Sequence, residues 1–141
     1  MALDTNGRPS RSLADRRLLV VVATAVPVWN FYGFAIDFFR DTWGDAPIPV
    51  VAISYALNAG FVVLLPFLPG GGRPALSGAA LLGSAMAAWS AVGTAFTPVP
   101  RLVYAAIPAV LGAATAALAI AGLAGDRRGE RRVRSPVAAA R

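Results

Sequence analysis

The chain contains no cysteine and no histidine, and its thirteen basic residues are all arginine because lysine is absent as well. Without cysteine, disulfides, thiolate metal sites, thiol nucleophiles and palmitoylation are excluded. Without histidine, the commonest haem ligand and general base is missing. Charge itself is scarce: 14% of the 141 residues are charged, against 57% hydrophobic. A single soluble domain of this length has too much surface to leave so little of it charged. No metal site and no cofactor are expected from this set of side chains.

What the chain does have accounts for the imbalance. Four apolar stretches, at 18–39, 48–68, 75–96 and 102–124, are each long enough to cross a bilayer as a helix. The expected fold class is an all-α integral membrane protein, an up-down bundle of four transmembrane helices. Residues 1–17 and 125–141 are read as tails, the second strongly basic. The triplet Ala23-Thr24-Ala25 follows an arginine-flanked apolar start, as a signal-peptidase site would. Only about seven apolar residues precede it and the run continues past it, so an uncleaved first helix is expected. Arginine-only basicity beside abundant alanine, glycine and proline fits a GC-rich genome, and the expected location is a bacterial inner membrane.

Arginine positions set the threading. Arg8, Arg11, Arg16, Arg17, Arg73, Arg127, Arg128, Arg131, Arg132, Arg134 and Arg141 fall on one side of the four stretches, and only Arg40 and Arg101 on the other. Both termini are therefore expected in the cytoplasm. So strong a bias argues against an antiparallel, dual-topology dimer. The sequence pI near 11.3 arises at the membrane edges rather than on a folded basic face. Anionic lipid headgroups, not nucleic acid, are the expected partners of the tails. The chain beyond Arg134 is expected to be irregular.

Proline and glycine punctuate the stretches. Pro47 and Pro49 suit a helix start, the run PGGGRP at 69–74 suits a tight reversal, and Pro98 and Pro100 mark the last connection. Pro27 falls inside the first stretch, where it leaves the Ala23 carbonyl without its helical donor and should bend the helix. Pro108 raises the same issue in the fourth.

The third and fourth stretches carry small residues every four positions: Ala79, Gly83, Ala87, Ala91 and Ala95, then Ala105, Ala109, Ala113, Ala117 and Ala121, with Gly112 and Ala116 beside them. Such ridges let helix backbones approach closely in lipid. They point to a tight hairpin between helices three and four, or to self-association. Ser84, Ser90, Thr94 and Thr115 are expected to bond carbonyls of their own helices.

Chemistry-bearing groups gather in the first two stretches. The segment 27–45 holds seven of the thirteen aromatics together with Asn30, Asp37, Asp41 and Asp45. Asn30 and Asp37 lie two helical turns apart on one face, with Phe34 between them, and Ser54 and Asn58 share a face of helix two beside Tyr55. Folding the two helices about their connection brings Asn30 level with Asn58, about 15 Å inside the outer surface. The amides are expected to meet. Either they join the helices, or they floor a pocket opening outward, with Trp29, Tyr32, Phe34 and Tyr55 as walls and Asp37 at its mouth. The series Asp37, Asp41, Asp45 reads as a solvated rim, and Trp43 as an interfacial aromatic.

Three functions fit these residues. The first is a non-catalytic accessory or complex subunit that associates through small-residue helix faces, with its own copies or with another membrane protein. The second is a small-molecule binding or transport protein using Trp29, Asn30, Tyr32, Phe34, Ser54, Tyr55 and Asn58. The third is a membrane-embedded isomerase or cyclase with Asp37 as its acid, and this one lacks an obvious partner base.

Overall fold

The computed structural model describes residues 11–35, 48–95 and 102–138. Four helices and no strand occur among them: α1 (Arg11–Ala35), α2 (Ile48–Leu64), α3 (Arg73–Ala95) and α4 (Leu102–Ala138). Each helix packs on the next, and α1 also packs on α4, which closes the ring. Contacting pairs run in opposite senses. Arg16 meets Gly71 and Asn30 meets Asn58, while Leu64 lies by Gly78 and Leu82 by Gly60. Likewise Gly83 meets Gly112 and Leu76 meets Gly122. Successive helices are thus antiparallel, and the expected up-down order is present.

Local chemistry explains the reversal between α2 and α3. Pro66 has no N–H for the Val62 carbonyl, and the last turn of α2 tightens into a 3₁₀ segment (Leu65–Phe67) closed by Leu68 N–H on the Leu65 carbonyl at 3.3 Å. The chain then turns through Gly70, Gly71 and Gly72. A Cβ at Gly71 would run into the Phe67 carbonyl oxygen and the Ala75 side chain, so only glycine fits. Ala75 and Leu76 donate to the Gly72 carbonyl at 3.1 and 3.3 Å and begin α3.

Three helices extend past their apolar stretches, while α2 stops at Leu64, short of 68. α1 starts at Arg11 rather than 18, α3 at Arg73 rather than 75, and α4 continues to Ala138 rather than ending near 124. The chain just beyond Arg134, expected to be irregular, is helical to Ala138. Arginine and alanine are good helix formers, and Glu130 lies four residues before Arg134, a favourable spacing. Hydropathy marks where a helix is oily, and backbone hydrogen bonding decides where it stops. Pro27 and Pro108 both lie within unbroken helices.

α3 and α4 form the closest pair. A Cβ on Gly83 would sit 2.7 Å from both the Gly112 oxygen and the Ala116 nitrogen, and one on Gly112 would sit 2.8 Å from the Gly83 oxygen and the Ala87 nitrogen. Backbone touches backbone there, the close approach that small residues permit. On α3, Ala79, Gly83 and Ala87 of the expected ridge are buried or half-buried, whereas Ala91 is exposed and the Ala95 side chain lies outside the described set. On α4 a neighbouring stripe turns inward: Gly112, Thr115, Ala116 and Ala119 are buried, while Ala113, Ala117 and Ala121 of the expected ridge are exposed. Glycine at 112 allows the shortest crossing, and that choice rotates the alanine ridge outward.

Leu19, Ala23, Val26, Phe61, Leu68, Leu76, Ala79, Met86 and Ala119 make one core. It sits toward the end that holds Arg16, Gly71 and Asp126. Outward of Met86, Pro108 is the only described residue that is buried. Meanwhile every helix turns large apolar side chains away from its neighbours, among them Val21, Phe31, Val63, Leu81 and Val110. Two helical segments, Arg73–Thr94 and Ala106–Asp126, are long and apolar enough to cross a membrane, and α2 contributes a shorter apolar segment, Ala52–Phe67.

Candidate functional site

The polar side chains expected to meet do so. Asn30 on α1 donates its amide Nδ2 to Asn58 Oδ1 on α2 at 2.7 Å. Asn58 in turn donates Nδ2 to the Ser54 carbonyl one turn earlier at 2.8 Å. That carbonyl can only accept, which fixes which end of Asn58 faces it and leaves the amide oxygen for Asn30. The Ser54 hydroxyl oxygen accepts the indole N–H of Trp89 from α3 at 2.7 Å. Three helices therefore converge on four half-buried side chains.

Trp89 was not among the residues singled out by pattern, which placed nothing chemical on α3. Its signal was nonetheless there. Reflection of the chain about the glycine turn near residue 71 sets Trp89 level with Ser54. Two of the four hydroxyl groups expected to bond carbonyls of their own helices on α3 and α4 do so. Thr94 and Thr115 bond their own helices' carbonyls at Ala91 and Leu111, at 2.7 and 2.8 Å. Ser90 departs from that pattern and donates to the Met86 sulfur at 3.6 Å. On α1, Thr24 bonds the Val20 carbonyl at 2.7 Å.

The aromatic residues divide. Trp29 is half-buried, with its ring centroid 5.9 Å from that of Tyr32 at a tilt of 41°. Tyr32 itself is exposed, as are Tyr55 at 59% and Phe31 at 75%. Tyr32 and Tyr55 thus lie on the outer surface beside the polar junction. Of Phe34 only the helical backbone is described. Asp37, with Asp41, Trp43 and Asp45, lies outside the described residues.

A second polar contact ties the opposite end of the bundle. Arg16 of α1 donates Nη1 to the Gly71 carbonyl at 3.1 Å, and its Nη2 lies 4.0 Å from an oxygen of Asp126 on α4. The start of α1, the turn before α3 and the end of the apolar part of α4 are thereby gathered at one end. Among the described residues no three acidic side chains come together as a metal site would require. The junction of Asn30, Ser54, Asn58 and Trp89 is neutral: it can give and receive hydrogen bonds, but it holds no ionisable group of its own. No family model, curated protein or solved structure matches this chain.

Proposed function

We propose that this chain is a multi-pass membrane protein whose four helices each cross the bilayer, with both arginine-rich ends in the cytoplasm, and that it serves as a non-catalytic subunit of a membrane complex. Its outer surface supports the bilayer reading. Large apolar side chains point outward on all four helices, around an interior of Leu19, Val26, Phe61, Leu68, Leu76 and Met86 with small residues at the α3–α4 crossing. A water-soluble bundle has an apolar interior too, but turns polar and charged residues outward. Arginines at the cytoplasmic rim would contact anionic headgroups, each contributing about 1 kcal/mol near the surface.

The subunit reading is carried by one observation, the alanine ridge Ala113, Ala117 and Ala121 left facing outward once Gly112 has made the hairpin. Small residues four apart on a lipid-facing helix admit the backbone of another helix. Because the chain has no cysteine, Ala117→Cys provides a single thiol. In native membranes a short bifunctional crosslinker at that position should give a discrete product, at doubled mass for a second copy or at a different discrete mass for another subunit. An uncrosslinked monomer under conditions where a control dimer reacts removes the proposal. The enzyme reading turns on Asp37 and gains no support from the described residues.

A further inference from the structure

We infer that the junction of Asn30, Ser54, Asn58 and Trp89 binds one hydroxyl group of a neutral, membrane-dissolved molecule; this rests on the four-span reading and assigns a ligand chemistry to the polar site within it. Asn58 spends its oxygen on Asn30 and one amide N–H on the Ser54 carbonyl, and Trp89 spends its only donor on the Ser54 hydroxyl. Among the described residues no donor reaches the Asn30 amide oxygen. Yet no buried side-chain nitrogen or oxygen among them lacks a partner, so this oxygen opens onto the protein surface.

Depth makes that opening significant. Asn58 lies ten residues before Leu68, which is about 15 Å of helix from the arginine-bearing end. In a hydrocarbon layer about 30 Å thick, that is near the midplane, where a carbonyl without a donor is costly. Burial among the described residues is also sparsest from this level outward, where beyond Met86 only Pro108 is buried. A ligand can therefore reach the junction laterally, past the exposed Phe31, Ile53 and Tyr55.

The donors and acceptors present select the class. A group that gives a hydrogen to the Asn30 oxygen, while receiving one from a spare amide N–H, must both donate and accept. A hydroxyl does both. An ionised ligand would find no counter-charge, because no charged side chain shares the junction among the described residues. The rest of the molecule, being apolar, would lie against the outward-facing aromatic and aliphatic side chains.

The test uses the full chain in phosphatidylcholine vesicles, with Trp29→Phe and Trp43→Phe leaving Trp89 as the sole tryptophan. Chain-brominated diacylglycerol, which has a free hydroxyl, is compared with triacylglycerol brominated in the same way, and with brominated phosphatidylcholine. The expected result is severalfold stronger quenching by diacylglycerol than by triacylglycerol at equal mole fraction. Asn30→Leu should abolish that difference. Arg16→Ala, which removes the contacts between elements at the opposite end of the bundle and leaves the junction intact, should retain it. Equal quenching by the two neutral lipids overturns the site while leaving Trp89 in the bilayer. Loss of the preference in both variants overturns it too, since the preference would then report helix packing in general. No quenching by any brominated lipid removes the four-span reading, and the site with it.

Discussion

Asn30 shows how one side chain in an oily helix constrains its surroundings. An amide there is expensive unless its hydrogen bonds are met, so its presence predicts a partner at equal depth. The helix rise alone was enough to nominate Asn58, and the two meet at 2.7 Å. Replacing Asn30 with leucine should lower stability by about 0.6–2 kcal/mol, read as thermal unfolding in detergent. In a double-mutant cycle with Asn58→Leu, the second substitution should cost less than it does alone. Strict additivity would mean that the bond contributes nothing. Trp89→Phe removes the donor to Ser54 and should cost about 0.5–1.5 kcal/mol by the same assay. The Trp89 bond was harder to foresee because a membrane serine ordinarily bonds its own helix, and the aim of an indole depends on side-chain torsions that the sequence does not display.

At the scale of whole helices, the Gly83–Gly112 crossing dominates. The atoms that a new Cβ would strike at either position are backbone, which cannot rotate away. Gly83→Ala should therefore push α3 and α4 apart and destabilise the protein by about 1–3 kcal/mol. Gly93→Ala lies on the same helix, where a Cβ would meet nothing within 4 Å. It should be neutral or stabilising, by up to about 1 kcal/mol, since alanine is the better helix former. Equal effects of the two substitutions in a thermal or denaturant assay would contradict the close crossing. Alanine periodicity correctly announced that α3 and α4 pair. It could not say which stripe of α4 faces inward, because Ala113, Ala117 and Ala121 border Gly112, Ala116 and Ala119 closely enough for both stripes to look alike.

Among the described residues of the whole molecule, burial concentrates at one end. Near the arginine-bearing end, Leu19, Phe61, Leu68 and Leu76 are buried and Arg16 bridges to Gly71 and Asp126. The Arg16 and Asp126 side chains are 31% and 36% exposed, so their ion pair should add only about 0–1 kcal/mol. Asp126→Asn should accordingly change stability little, and less still in high salt, whereas Phe61→Ala should be clearly destabilising. The proposed threading makes a separate demand: reporters fused at residue 1 or 141 should be active only in the cytoplasm, and reporters inserted near 43 or 99 only outside. Termini found on opposite faces would end the four-span reading.

The sequence by itself determined that the chain is helical, that its polar groups concentrate on the first two helices, and that Asn30 and Asn58 lie at one depth. These follow from hydropathy, composition and a fixed rise per residue, all of which are local properties. Only the tertiary structure decided which face each helix presents, that Trp89 joins the polar junction, that Arg16 gathers three elements at one end, and that the alanine ridge of α4 turns outward. Those depend on helix rotation, which is set where two glycines let backbones touch, and no single helix carries that information.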